Sequence, residues 1–354
     1  MKSNEDIQTM ILKRQFDGVR YACIERISHN RLDGQAWAFL GTALVGLQRA
    51  QTARLCFERA WLFDPLSADL EKACHQAAEL PPGRDDERVK KLLQVPKSTV
   101  SANILTKNSE STIYNCLSAL QNAVDEIVVV DTGSTDNTIE IVQSFGIQVH
   151  HFDWVEDFSK ARNFALSLSS CDWVLAVDSD EFLVTPDVPA VREVAGLYAD
   201  CPWNPIVLCI QLNYVSGRVT PNGPARMFRN DGRTVWTRRI HEIPTSVEDS
   251  ASPDVRRPLV RIRFNHFGYD PATIDTKAKC ERNLELLFRD LNDHPNDART
   301  LFYIGREHAG LGQRDEALHY LTLAKANMSP DEEVYFRSEM QEILAYLKAA
   351  ETTS

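Results

Sequence analysis

The period of the apolar positions changes twice along the chain. Over residues 6 to about 80 apolar side chains recur every three to four positions, the spacing of amphipathic helices, and this returns from about 275 to 350. Between these zones short apolar runs alternate with helical stretches. Residues 100–106 read as a strand. The run Glu126-Ile127-Val128-Val129-Val130-Asp131 reads as a buried one, being continuously β-branched before the terminal acid. Residues 148–152 and 173–177 supply two more strands. Helices are predicted over 112–121, 135–145 and 158–169, with Ser134 and Thr135 as caps and Gly146 as the stop of the second. This β-α-β-α-β-α-β order predicts an α/β fold with a mostly parallel sheet covered by helices on both faces. Ligands of such sheets bind outside the carboxyl ends of the strands.

The flanking zones carry a second pattern. Trp37, Leu40, Gly41, Leu44, Ala53, Phe57, Ala60 and Pro65 fall at the spacing of the 34-residue tetratricopeptide repeat. The small residues let two antiparallel helices approach, the aromatics fill the gap, and the proline ends the second helix. Leu301, Ile304, Gly305, Ala317, Leu321 and Ala324 repeat the spacing near the other end, without an aromatic at the Trp37 position. The expected organisation is a helical segment over 1–80, a linker over 81–96, a catalytic-type domain over 97–270 and a second helical segment over 271–354. One repeat cannot bury its apolar face alone, so these helices are expected to dock on the central domain, on each other or on a second subunit in a homodimer.

Composition narrows the function classes. Thirty-nine basic and fifty acidic residues give a formal charge of −11, which disfavours non-specific binding to nucleic acid or anionic lipid. No segment approaches the roughly 18 consecutive apolar residues of a membrane span, and the polar start lacks a signal-peptide core, so a cytoplasmic location is expected. The eight cysteines are scattered without a C-x-x-C pair and read as buried apolar residues rather than disulfides or zinc ligands.

Polar and acidic clusters follow three of the predicted strands: Thr106-Lys107-Asn108-Ser109-Glu110, Asp131-Thr132-Gly133-Ser134-Thr135-Asp136, and Asp178-Ser179-Asp180-Glu181. Neither G-x-x-x-x-G-K-[ST] nor G-x-G-x-x-G is present. An acidic edge needs a divalent cation to meet a diphosphate, and Mg²⁺ or Mn²⁺ held by one or two carboxylates plus substrate phosphates meets that need. Asp131 could alternatively just begin its own turn. Asp136 and Asp157 read as residues of helix starts.

The run from Ile104 to Asn108, that from Glu126 to Asp136, then Trp154, Asp157-Phe158-Ser159-Lys160-Ala161-Arg162-Asn163 and Asp172 to Glu181 resemble the catalytic half of family 2 glycosyltransferases of the GT-A fold. The order and spacing hold over about 80 residues. The flanking repeats resemble a subset similar to sublancin-type peptide glycosyltransferases, and lipopolysaccharide-core glucosyltransferases share the same half. The resemblance implies a nucleotide-sugar donor, with Asp131, Thr106, Asn108 and Glu110 lining the nucleoside pocket. It implies Asp178 toward ribose and metal, Asp180 as direct metal ligand, and Arg162 near the diphosphate or ribose. Alternation would send Asp178 and Asp180 the same way if their strand runs that far.

Beyond Glu181, Arg226-Met227-Phe228-Arg229, His241-Glu242 and His266-Phe267-Gly268-Tyr269 resemble elements of the same subset. An inverting displacement needs a base and stabilisation of the leaving diphosphate. Glu242 is the expected base, with Asp231 as rival. His241 is the expected substrate contact, Arg226 and Arg229 the donor contacts, and His266 a third metal ligand. The five arginines from Arg226 to Arg239 read either as a solvated face or as a basic patch for an anionic substrate. The sequence thus points to an inverting transferase acting on a peptide, protein or glycan acceptor. A repeat scaffold with a silent catalytic domain is the alternative, and a nucleotidyltransferase is a third reading with Lys107 as its support.

Overall fold

The computed structural model describes residues 1–215, 217–248, 254–266 and 276–351. Six helices come first: α1 (Asn4–Leu12), α2 (Phe16–His29), α3 (Gly34–Gly46), α4 (Ala50–Phe63), α5 (Ala68–Glu79) and α6 (Glu87–Leu93). The last lies inside the stretch read as a linker; Asp86 caps it by accepting the Val89 amide, while the carboxylate also pairs with Arg20 and Arg49. In the α3–α4 hairpin Trp37, Leu40, Ala53 and Ala60 are buried as their spacing requires. A Cβ on Gly41 would stand 2.6 Å from the Phe57 ring, so the close approach of the two helices depends on that glycine.

The central domain alternates strand and helix: β1 (Val100–Thr106), α7 (Ile113–Leu120), β2 (Glu126–Asp131), α8 (Thr138–Ser144), β3 (Val149–His151), α9 (Phe158–Leu168) and β4 (Trp173–Asp178). It continues through β5 (Glu181–Leu183), α10 (Val188–Tyr198), β6 (Asn204–Val215), β7 (Arg218–Asn222), β8 (Ala225–Arg229), β9 (Thr234–Thr237), β10 (Ile243–Ser246), β11 (Val255–Arg256) and β12 (Leu259–His266). The main sheet runs β3-β2-β1-β4-β8-β6-β12-β5, with β7 and β11 on β6; β9 and β10 form a separate ribbon. β3, β2, β1 and β4 are mutually parallel, as the alternating pattern predicts. β8 enters antiparallel to β4 and β6, and β12 returns parallel to β6. The result is the mixed α/β sheet of a GT-A-like fold flanked by helices.

α8 begins three residues later than expected. Asn137 precedes it, and Ser134 and Thr135 lie in the loop before it, where each serves another group. Asp157 does cap α9, accepting the Lys160 amide at 3.2 Å. All eight cysteines are free, with burial raising the thiols of Cys56, Cys116 and Cys209 well above the ordinary range.

Four helices close the chain: α11 (Thr276–Asp293), α12 (Ala298–Gly310), α13 (Arg314–Asn327) and α14 (Pro330–Glu351). Gly305 repeats the device of Gly41, since a Cβ there would meet Leu321 at 2.8 Å. Both helical units dock on the central domain. α4 reaches α10 through Arg59–Glu193 (2.5 Å) and the sheet through Trp61, which lies under the guanidiniums of Arg261 and Arg263. A groove of about 1280 Å³ remains between this unit and the sheet, beside Thr99 and Asp125 at the starts of β1 and β2. The C-terminal unit shares a buried cluster with Ile240, Trp154 and Phe158. None of the described helices is long and apolar enough to cross a membrane.

Candidate functional site

Register brings the three polar clusters to one edge. Thr106 pairs with Asp131 and Leu105 with Asp178, so β1, β2 and β4 end together. The loop after β1 is stitched to the loop after β2. Asn108, at φ 50°, accepts the Thr135 amide at 2.8 Å, and Glu110 accepts the Asn137 amide and carboxamide at 3.1 and 2.9 Å. Asp136 accepts the Glu110 amide and the Thr138 amide and hydroxyl. The buried Asp131 carboxylate accepts the amides of Gly133 and Ser134 and the Ser134 hydroxyl, so it closes its own turn. Gly133 makes that turn at φ 105°. The Thr106 hydroxyl is buried without a hydrogen-bond partner among the described residues and lies in the same corner.

Asp178 and Asp180 do not point the same way. The strand ends at Asp178, and the chain turns through Ser179 and Asp180 before Glu181 opens β5. Asp178 faces two guanidiniums: Arg162 on Oδ1, and Arg226 on Oδ2 at 2.6 Å. Burial alone would raise this carboxyl, but Arg226 and Arg162 outweigh it and hold it far below the usual carboxylate range. Asp180 faces His266, with Oδ2 3.4 Å from Nε2. The Nδ1 of His266 meets the Asn213 Oδ1 at 2.7 Å, and because that oxygen can only accept, Nδ1 carries the proton.

Two arginines tie this centre to the second half of the domain. Arg162, on α9, donates to Asp178 and, at 3.0 Å, to Oε1 of Glu242; its Nη1 is buried with no partner among the described residues. Arg226, on β8, donates to Asp178 and to the fully buried Glu181 at 2.7 Å. Glu242, Arg162, Asp178, Arg226 and Glu181 therefore form one continuous ionic chain. Burial and the neighbouring Asp178 raise the Glu181 carboxyl despite Arg226. Sequence reasoning missed Glu181 as a separate element, because one more acid after D-S-D reads as part of the acidic turn.

Several expected site residues lie elsewhere. Arg229 pairs in register with Trp173, at the opposite end of β4, and donates to the carbonyls of Tyr198 and Cys201 at 2.5 and 2.8 Å; it is not near the edge where the three polar clusters meet. Asp231 pairs with exposed Arg233 at 2.7 Å and lies just beyond Arg229, at the end of β4 opposite the acidic clusters, too far from them to act as a base there. Arg238 and Arg239 bind Asp297 and Asp293 of the C-terminal unit, so the five arginines form neither a solvated face nor one patch. His241, at φ 51°, turns away from Glu242 to stack on Tyr303 at 3.8 Å and to meet Arg306 at 3.1 Å. Burial first, then Arg306 and three further cations, push its imidazole well below its ordinary value, so the ring is neutral. It packs the domain interface and is not placed as a substrate contact. The Phe267-Gly268-Tyr269 part of its companion motif lies outside the described residues.

The donor set fits a divalent ion only narrowly. Among the described residues no group of three or more His, Cys, Asp or Glu side chains is arranged to hold a metal. Each Asp178 oxygen already accepts from one guanidinium, so a metal there would have to share the carboxylate with Arg162 and Arg226. Asp180 and His266, 3.4 Å apart, would supply one carboxylate and one imidazole to a divalent ion, leaving substrate phosphates and water to complete its shell.

Residues 101–268 match the family model described as Glycosyl transferase family 2. That match takes in just under half of the chain and spans β1 to β12. The chain is 27% identical over 229 residues to the SPbeta prophage-derived glycosyltransferase SunS of Bacillus subtilis, covering 63% of this chain and 52% of that protein. It is 30% identical over 213 residues to a TPR repeat-containing protein of Synechococcus elongatus, covering 58% and 51%. It thus spans about half the length of these curated relatives. A solved structure of S. aureus TarS (residues 1–349) with UDP-GlcNAc aligns at a TM-score of 0.41 and 17% identity, over 70% of this chain and 88% of that one.

Proposed function

We propose that this chain is an inverting glycosyltransferase that moves a sugar from a nucleoside diphosphate, UDP by family habit, to a peptide, protein or glycan acceptor. The observation that carries the reading is the pairing of Asp178 with Arg162 and Arg226, and of Asp180 with His266, at the carboxyl ends of β4 and β12 in a domain that matches the family 2 model. Acids at a strand edge repel one another, and here each has a partner suited to a charged ligand. Thr106, Asn108, Glu110 and Asp131 border the nucleoside corner of this site.

Glu242 is assigned as the base. Arg162 holds its Oε1, which leaves Oε2 to take the proton of an acceptor hydroxyl, thiol or amide as that atom attacks the anomeric carbon. The bond from that carbon to the diphosphate oxygen breaks on the opposite face. Arg162 and Arg226 carry the positive charge that faces the leaving group. Mg²⁺ or Mn²⁺ at Asp180 and His266 would neutralise diphosphate charge. Eight free cysteines suit a reducing compartment such as the cytoplasm.

A panel of nucleotide sugars with Mn²⁺ or Mg²⁺ tests the activity without knowledge of the acceptor, because slow donor hydrolysis is the readout. Calorimetry with UDP and Mn²⁺ tests the site: the parent protein should bind, and Asp180→Ala should lose the metal-dependent part. A parent protein that neither hydrolyses a donor nor binds UDP with metal would instead favour the scaffold reading.

A further inference from the structure

Glu181 has no exposed surface and spends both carboxylate oxygens inside the protein. Oε2 accepts the backbone amide of Asp178 at 2.9 Å and so closes the Asp178-Ser179-Asp180-Glu181 turn. Oε1 accepts from Gln211 Nε2 at 2.6 Å and from Arg226 Nη2 at 2.7 Å, and that same nitrogen donates to Asp178 Oδ2 at 2.6 Å. Asp178 is therefore held twice, by its own backbone and through Arg226. On the other strand of the pair, Glu181 stands in register with His266, the partner of Asp180. One carboxylate thus sits at the node between the two halves of the turn. A buried charge is costly to keep where an apolar residue would fill the same core volume, and the cost here falls at the point that sets where the two aspartates diverge.

We propose that Glu181 is the positioning residue of the donor site. It fixes the turn so that Asp178 stays with the two arginines while Asp180 stays with His266. With both oxygens filled and no exposed surface, it transfers no proton itself. The role rests on the donor-binding reading above.

The chemistry allows a sharp test. Replacing Glu181 by glutamine preserves shape but places a donor NH₂ either against the Asp178 amide or against Gln211 and Arg226, so one orientation fails once and the other twice. The double change Glu181→Gln with Gln211→Glu keeps a carbonyl for the Asp178 amide, turns the new NH₂ toward a carboxylate and preserves the net charge, so that of the two donor clashes only the one with Arg226 remains. Asp187→Asn serves as control, because Asp187 is equally buried and held by Arg263 (2.7 Å) in contact with none of the turn residues.

The measurements on the full chain are UDP affinity with Mn²⁺, donor-hydrolysis KM and kcat, amide hydrogen exchange across 178–183, and Tm. Glu181→Gln is expected to weaken UDP binding about 10- to 100-fold, the range for one hydrogen bond to a charged group, mainly in KM, and to speed exchange at the turn. The double change should recover at least part of that affinity. Asp187→Asn should lower Tm with UDP affinity unchanged. Binding in the parent that Glu181→Gln leaves intact overturns the proposal alone, as does an equal loss of affinity in Asp187→Asn. Absence of metal-dependent UDP binding in the parent overturns the donor reading, and the role of Glu181 with it.

Discussion

The hairpins α3–α4 and α12–α13 use one packing device and meet the central domain in different ways. Each relies on a glycine facing a large side chain, Gly41 against Phe57 and Gly305 against Leu321. The N-terminal hairpin sends Leu62 and Phe63 into the core beneath the sheet and adds a polar stack, with Trp61 under Arg261 and Arg263 and Asp187 pairing with both arginines. The C-terminal unit rests on an apolar cluster with Ile240, Trp154 and Phe158, ringed by Arg238–Asp297 and Arg239–Asp293. Ile240 is two residues from Glu242, and Asp157 caps the helix that carries Arg162. So the C-terminal unit supports the walls of the site, whereas the N-terminal unit attaches at α10 and at Arg261 and Arg263 of β12, five and three residues before His266. Similar repeats can therefore serve different ends, depending on which strand they touch.

The largest effect should come from the residue on which the site depends most. Arg162→Ala removes the partner of both Asp178 and Glu242; loss of one member of a buried pair typically costs about 3–5 kcal/mol. Urea unfolding should show a loss of that order, and donor hydrolysis should fall at least about 100-fold. Retained hydrolysis would detach the ionic chain from function.

Arg238→Ala next probes the asymmetry. It should lower stability by about 1–3 kcal/mol and also lower kcat, because the segment leading to Glu242 loses its anchor on α12. Arg59→Ala, its counterpart at the other interface, should cost similar stability with donor KM and kcat unchanged. Equal kinetic effects from the two would break the comparison. Gly41→Ala and Gly305→Ala should each destabilise by about 1–3 kcal/mol through overpacking, read from Tm, and only the second should reach the kinetics.

The smallest effect concerns pH. The His241 ring stays neutral when folded and takes a proton near pH 6.5 when unfolded. Its folded value is depressed, so its contribution is present above about pH 6.5 and declines as pH falls from there toward the folded value. Stability measured at pH 7.5 and 5.5 should differ, and His241→Gln should shrink the difference.

The acidic sheet edge was legible in the sequence because buried parallel strands announce themselves by continuous β-branched runs. Asp131 and Asp178 then follow at the strand ends by topology alone. Gly41 and Gly305 were legible because only a small residue suits a close helix contact. Arg229 was misplaced for a reason the sequence does contain: it lies three positions from Arg226, so a period of two puts them on opposite faces of one strand. The partners of Arg238 and Arg239 are more than fifty residues away, and no local pattern reveals them. The divergence of Asp178 from Asp180 depended on whether the strand ran two residues further, which a boundary reading cannot resolve.

The ionic chain from Glu242 to Glu181 has a consequence for ionic strength. Its two guanidinium groups are almost wholly out of solvent, so dissolved ions cannot screen them as they screen surface pairs. The exposed Arg239–Asp293 contact should fade as salt rises, loosening the C-terminal seam, while the arginine-held aspartate keeps its place. Concentrated salt would then separate two kinds of charge pair that stand only a few residues apart in the chain.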